Sequence, residues 1–437
     1  MTDLDPVLPA AVAGFLADHD VPTPCLILEL DVVADRYARL TTALPEAAVH
    51  YAVKANPEPA VLDLLARSGA GFDVASPAEV DLCLSVGVAP GRLSYGNTVK
   101  KQADIAYAYA RGVRLFACDS GDDLRKLAAA APGAGVFLRL LTSGVGADWP
   151  LSRKFGCMPA MAVDLLLEAA ALGLDPRGTS FHVGSQQRDP GQWEPALAQA
   201  AAVGAEVVRR SGGRVRPRLV NLGGGLPARY LEQLPDVDTY AAAIRASLDR
   251  HFPAAGPLGR PEVMIEPGRH LLGDAGVLHA EVVLVARKSY DQDERWVYLD
   301  IGVFGGLAET LGEAIKYRLV TDRGGPVGPV ILAGPTCDSL DVLYERHRYH
   351  LPLDLVAGDR LSFLSAGAYT SVYCTDGFNG LTPLPVHCLP LARAIGSLPV
   401  AHQEAGKLPH VRRRGSGWSV AGERLGPGEQ RRPVDLT

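Results

Sequence analysis

Lys54 ends a short apolar run in His50-Tyr51-Ala52-Val53-Lys54-Ala55-Asn56. The stretch 47–53 reads as a buried strand. A lysine at such a tip is ordinarily a solvated terminus. Desolvation there would lower its pKa and leave an amine able to form a Schiff base. Further along, Gly223-Gly224-Gly225 directly follows the apolar run 219–222. Three glycines let the backbone approach a ligand and aim N–H groups at an anion. Glu266-Pro267-Gly268-Arg269 follows another strand-like run, so Arg269 could cap the same anion.

A lysine, a phosphate cradle and a buried acid suggest pyridoxal 5'-phosphate. That cofactor needs a lysine for its aldehyde and an acid or arginine against its ring nitrogen. Glu266 is the natural partner of the ring nitrogen. In Phe181-His182-Val183-Gly184-Ser185, His182 could stack on the ring and Ser185 could hydrogen-bond the phosphate. A single strand-end histidine is more often structural, so its neighbours carry this assignment.

Something must bring these tips together, and from residue 47 to 266 short apolar runs alternate with longer Ala/Leu-rich helical stretches. Strands are expected at 47–53, 71–75, 92–95, 113–118, 135–140, 179–183, 218–222 and 262–265. Eight parallel strands with helical crossovers predict a (β/α)8 barrel with its chemistry at the C-terminal strand ends. Those ends hold Lys54, Asp73, Asn97, Asp119, Arg139, His182, Gly223 and Glu266. After about residue 272, runs at 276–286, 295–299, 329–332 and 360–364 lack long helices between them, which reads as a mostly antiparallel β domain. The run 25–30 is expected to join that sheet, and residues 8–19 to form a short helix. The expected division is therefore α/β, with a barrel at 33–272, a β domain at 1–32 and 273–402, and a mobile tail at 403–437. His347 and His350 read as surface residues of an Arg-rich helix.

At 437 residues with a net charge of -6, the chain has room for two domains and no basic footprint for nucleic acid. No apolar run approaches the roughly 20 residues of a membrane span, and the acidic N-terminus does not resemble a secretory signal. Seven scattered cysteines without a C-x-x-C pair argue for reduced thiols in a cytoplasm. The histidines show no spacing for a metal.

Together the motifs resemble those of the fold type III, pyridoxal-phosphate-dependent basic amino acid decarboxylases, the ornithine/lysine decarboxylase group. The matching runs are Tyr51-Ala52-Val53-Lys54-Ala55-Asn56, Gly71-Phe72-Asp73-Val74-Ala75-Ser76, Leu151-Ser152-Arg153-Lys154-Phe155-Gly156, His182-Val183-Gly184-Ser185 and Glu266-Pro267-Gly268-Arg269. They continue in order with Gly334-Pro335-Thr336-Cys337-Asp338-Ser339, Gly367-Ala368-Tyr369 and Gly377-Phe378-Asn379-Gly380. The resemblance covers roughly residues 22 to 390 and implies an alanine racemase-like two-domain architecture.

It also implies roles. Lys54 carries the cofactor, Asp73 and Arg139 support it, His182 stacks on the ring and Glu266 holds the pyridinium. Ser185, Gly223, Gly224, Gly225, Arg269 and Tyr369 bind the phosphate. Cys337, the expected proton donor, and Asp338 lie on a loop that enters the partner's site in a homodimer, with Lys154 and Asp341 pairing across the interface. Asp338, Phe378 and Glu313 are the candidate substrate contacts.

The implied reaction is decarboxylation of a basic L-amino acid to its diamine, with ornithine first and lysine next. Gly312 departs from the acidic residue many bacterial relatives carry beside the glutamate, which widens the choice of substrate. Cys337-Asp338-Ser339 differs from the Cys-Glu-Ser typical of diaminopimelate decarboxylases, and Glu266 argues against a racemase, which would place an arginine there. A modified or diaminopimelate-like amino acid and a non-catalytic binding regulator are the alternatives.

Overall fold

The computed structural model describes residues 7–390 apart from 152 and 292, so the expected tail and residues 391–402 of the expected β domain lie outside the described residues. Eight parallel strands close into a barrel in the order Leu219–Asn221, Glu262–Ile265, Ala47–Ala52, Gly71–Val74, Leu93–Tyr95, Leu115–Cys118, Gly135–Arg139 and Asp175–Ser180. The expected strand at 179–183 instead spans Asp175–Ser180, and its pairing with Gly135–Arg139 skips Arg177 between Val136 and Phe137.

Alternation along these strands sorts their side chains onto two faces. Phe116, Cys118, Val136, Leu138, Val220, Val263 and Ile265 join the large apolar cluster shared with the helices. Their neighbours Leu115, Ala117, Phe137, Leu219 and Met264 form a small separate cluster, the filling of the barrel interior. Lys54, Asp73, Arg139, His182, Asn221 and Glu266 fall on that second, inward parity. The period of two aims Asp73, Arg139 and Asn221 at one mouth, and Lys54, His182 and Glu266 follow their strands at the same C-terminal end of the barrel.

Local sequence ends each strand cleanly. After Gly71–Val74, Ser76 accepts from the Glu79 N–H (3.3 Å), and Glu79 returns a carboxylate oxygen to the Ala75 N–H (2.6 Å). With Pro77 at the first helical position, this is the S-x-x-E start signal of the helix Pro77–Ser85.

The remaining strands form an eight-stranded, mostly antiparallel sheet. Its path runs Arg318–Thr321, Arg360–Leu364, Gly276–Ala286, Arg295–Leu299, Val327–Ala333 and Val342–Pro352. Cys25–Glu29 pairs with Gly276–Ala286 as expected, and Val386–Leu389 lies parallel to it. The large apolar cluster continues from the barrel helices into this sheet. No described helix is long and apolar enough to cross a membrane.

The Arg-rich helix expected around His347 and His350 is instead the edge strand Val342–Pro352. Its run Glu345-Arg346-His347-Arg348 mimics a solvated helix face. Leu343, Tyr344, Tyr349 and Leu351 are buried in the core, and charges suit a strand that has a neighbour on one side only.

Candidate active site

At the barrel mouth the Lys54 ammonium lies 2.9 Å from Asp73 Oδ2, with the lysine side chain 48% exposed and the aspartate 2%. A ligand can therefore reach the nitrogen while its counter-ion stays fixed. Gly96 gives Asp73 its room, since a Cβ there would sit 1.9 Å from Oδ1. The expected lowering of the lysine pKa is overturned. Desolvation opposes the charge, but Asp73, Tyr369 and Glu266 together raise the group above the ordinary lysine range. Lys54 is held as a cation, the charge state that a protonated imine at the same nitrogen would keep.

Glu266 follows the strand Glu262–Ile265, which pairs directly with the strand that leads to Lys54. Burial, and then Asp73, push its carboxyl up to about 7, with Lys54 acting the other way. Asn221 Nδ2 donates to its Oε1 at 2.5 Å, while Asn221 Oδ1 accepts from the Gly223 N–H at 2.9 Å. Asn221 thereby fixes both the acid and the start of the glycine run. Burial also lowers Arg139, whose Cζ stacks 4.7 Å from the centre of the Phe155 ring.

His182 Nδ1 accepts from the Gly184 N–H (3.0 Å), so the ring's proton belongs on Nε2. Burial, with Arg139, Lys54 and Arg269 nearby, drives its pKa well below the usual value, and the ring is neutral. A Cβ on Gly224 would stand 3.0 Å from His182 Nε2, and one on Gly223 2.0 Å from the Phe181 carbonyl oxygen. Only glycines leave space over this histidine.

Beside the glycines, Arg269 Nε and Nη2 donate to Ser185 Oγ at 3.2 and 3.1 Å. Its Nη1 donates to Tyr230 Oη and to Glu309 Oε2, both at 2.7 Å, and Nη2 also meets Glu309 Oε1. Tyr369 places its ring 4.9 Å from the guanidinium and holds a left-handed backbone (φ 59), with its N–H on the Ala55 carbonyl at 2.8 Å. That bond, and Asn56 Nδ2 to the Gly367 carbonyl at 2.9 Å, lock the sheet's 367–369 turn onto the lysine segment.

A second group lies apart. Exposed Cys337 is tied to Asn379, whose Oδ1 accepts from the Cys337 N–H (3.2 Å) and whose Nδ2 faces Sγ (3.5 Å). Asp338 Oδ1 accepts from the Leu340 N–H (2.9 Å), and Phe378 packs on Phe304 with ring centres 5.2 Å apart. Among the described residues, none of these contacts reaches the Lys54 group.

Two expected roles change. The Glu313 carboxylate accepts from the backbone N–H groups of Glu345, Arg346 and His347 at 2.8, 2.6 and 3.0 Å, so it is an internal pin rather than an open acid. Asp341 is buried and accepts from Val303 N, Thr336 N and Thr336 Oγ1 at 2.7, 3.0 and 2.7 Å, which anchors the Cys337 loop within its own chain. Of the other strand tips, Asn97 caps a local turn through the Val99 N–H, and Asp119 ties the distant Gly156 N–H to its strand end. Sequence reasoning missed Asn221, Tyr230, Glu309 and Asn379. Asn221 left a signal as a residue just before the glycines, and Asn379 left one in the run Gly377-Phe378-Asn379-Gly380, while Tyr230 and Glu309 left none.

The barrel mouth fits pyridoxal phosphate. It offers a reachable lysine nitrogen, a buried acid on the adjacent strand end, a neutral imidazole and a serine–arginine pair beside glycines, while the buried Asp73 Oδ1 has no hydrogen-bond partner among the described residues.

A model of the pyridoxal-binding domain of pyridoxal-dependent decarboxylases matches residues 30–273. The lysine/ornithine decarboxylase of Selenomonas ruminantium is 34% identical over 366 residues, which span 84% of this chain and 89% of that protein. Antizyme inhibitor 2 of Xenopus laevis is 33% identical over 375 residues, 83% of this chain and 80% of that one. The solved lysine/ornithine decarboxylase from Vibrio vulnificus, complexed with cadaverine, superposes with a TM-score of 0.78 at 33% identity. That match covers 88% of this chain and 100% of the other.

Proposed function

The chain belongs to the pyridoxal-dependent decarboxylase family, and on that premise we propose that it decarboxylates L-ornithine by preference and L-lysine next, releasing the diamine. Pyridoxal phosphate is its cofactor. When bound, it supplies an electron sink for the bonding pair left behind by the departing carboxylate.

The chain's own residues do the rest. Lys54 Nζ holds the cofactor aldehyde, and Asp73 keeps that nitrogen charged. Glu266 faces the ring nitrogen, where a cation would relieve its buried charge, and Arg139 supports the mouth beside it. His182, neutral and faced by glycine rather than a side chain at position 224, is the residue that would stack on the cofactor ring. Ser185, Arg269, Tyr369 and the glycines at 223–225 take the phosphate. Cys337 Sγ returns a proton to the substrate's Cα, while Asp338 and Phe378 meet the side chain. With Glu313 engaged by backbone, Asp338 is the acid proposed for the distal ammonium, in a charge-assisted bond worth roughly 1.5–3 kcal/mol.

We also propose a homodimer with shared sites. Cys337, Asp338 and Phe378 are exposed or half-exposed in one chain, and their contacts run to Asn379, Leu340 and Phe304 rather than to the Lys54 group, which supports their service to a second copy. The observation that carries the activity is the pairing of the half-exposed Lys54 with Asp73 in the mouth that also holds Glu266. Carbon dioxide and amine release from L-ornithine, L-lysine, L-arginine, meso-diaminopimelate and L-glutamate, with added cofactor, tests it. Turnover of ornithine or lysine is expected; turnover of diaminopimelate alone would overturn the substrate assignment.

The similarity to an antizyme inhibitor raises a second reading, a decarboxylase-like binding regulator. A protein that develops no visible cofactor absorbance, or whose absorbance does not respond to any of these amino acids, would favour it.

A further inference from the structure

Arg269 is the guanidinium of the proposed phosphate cup, yet a carboxylate already holds it. The Arg269 and Glu309 side chains are 3% and 7% exposed. Glu309 spans Nη1 and Nη2 with both oxygens, and Tyr230 adds a further contact to Nη1. A guanidinium has two edges that can grip an oxyanion in a bidentate fashion. Glu309 takes one of them, and the other, Nε with Nη2, is turned to Ser185 Oγ. We propose that Glu309 is a positioning residue for the cofactor phosphate. It fixes the guanidinium plane so that the Nε–Nη2 edge and the Ser185 hydroxyl it holds are presented together, and it ties that point to the second sheet. This inference rests on the assignment of Arg269 and Ser185 to the phosphate.

The tie has a consequence. Glu309 lies in the first turn of the 3₁₀ segment Ala308–Glu313, and Glu313 at its other end is pinned to the backbone of Val342–Pro352. One short segment is thus bolted to the phosphate cup at one end and to the edge strand at the other. Coulomb repulsion between Glu309 and a phosphate opposes binding. A guanidinium released from its fork, however, loses the plane on which bidentate recognition depends. The two effects have opposite signs, and the proposal commits to the second.

Full-length protein stripped of cofactor is titrated with pyridoxal phosphate and, separately, with pyridoxal, which lacks the phosphate. Visible absorbance reports binding in the wild type and in Glu309→Gln, Glu309→Asp and Arg269→Ala. The preference for the phosphorylated form is expected to fall about tenfold in Glu309→Gln, with pyridoxal binding changed by less than about twofold. Glu309→Asp, which keeps the charge, is expected to recover part of that preference. Adding Glu309→Gln to Arg269→Ala is expected to cause no further loss.

An unchanged or increased preference in Glu309→Gln would overturn the inference, as would equal losses for both ligands. A wild type with no preference for the phosphorylated form would instead overturn the assignment of the cup itself. Thermal melting and the Glu309→Asp variant separate a folding defect from loss of positioning.

Discussion

The barrel mouth and the Cys337 loop are built on opposite principles. At the mouth nearly every polar atom is spoken for inside one chain. Lys54 has Asp73, Glu266 has Asn221, His182 has Gly184, and Arg269 has Ser185, Tyr230 and Glu309. On the loop, Cys337 and Phe378 are exposed and Asp338 is half-exposed; Asn379 is the tie to the cysteine, and Asp341 anchors the loop's base from below. A site preorganised to bind a cofactor needs the first kind of construction. Groups that complete a site only on assembly need the second, because they must stay free until a partner arrives. Under the proposed homodimer, the difference would make the mouth a finished cofactor half and the loop an unfinished substrate half.

Mutations should divide along that line. Lys54→Ala is expected to have the largest effect, abolishing the visible absorbance of bound cofactor and lowering turnover at least about 10³-fold. Cys337→Ala is expected to keep that absorbance while amine formation falls roughly 10²-fold, the scale of losing a positioned proton donor. If Cys337→Ala loses cofactor, the two halves are not separable.

A pH experiment sharpens the comparison from the barrel side. The Glu266 carboxyl is raised from 4.5 to about 7 in the folded, cofactor-free protein. The native state therefore holds a proton that the unfolded chain has given up across that interval. Stability linked to this group is present below about pH 4.5 and is lost as pH rises through about 7. Glu266→Gln is expected to flatten that decline in melting temperature, and an unchanged pH profile would count against a buried, strained acid.

The smallest effect is expected for Glu313→Gln. Weakening a carboxylate that receives three backbone N–H groups should lower stability by about 1–3 kcal/mol with little change in the KM for ornithine. A large rise in KM at full stability would return Glu313 to the substrate and remove Asp338 as the principal acid.

Much of the barrel was legible because a period of two over short apolar runs is a strong signal, and it carried Lys54, Asp73, Arg139, His182 and Glu266 to one mouth. Recognition of the phosphate cup began from the glycines and Arg269. The sequence was silent where partners are backbone atoms or lie far along the chain. Glu313 looks like an open acid until the amides of Glu345, Arg346 and His347 fold against it, and Glu309 meets Arg269 across a gap of 40 residues. The strand Val342–Pro352 was misread because charged residues dominate its exposed face. The sequence shows the burial of Lys54 but not the neighbours that accompany it, Asp73, Tyr369 and Glu266, which raise its pKa instead of lowering it.

The most direct test of a finished half and an unfinished half is complementation. Lys54→Ala and Cys337→Ala proteins, each inactive or nearly so, are mixed in equal amounts under conditions that allow subunits to exchange, and amine release from ornithine is measured. With sites shared across a two-fold dimer, half of the dimers are mixed and each has one intact site. The mixture is then expected to recover about one quarter of wild-type activity. Recovery no greater than the sum of the two variants, with exchange demonstrated, would contradict the division of the site between two copies.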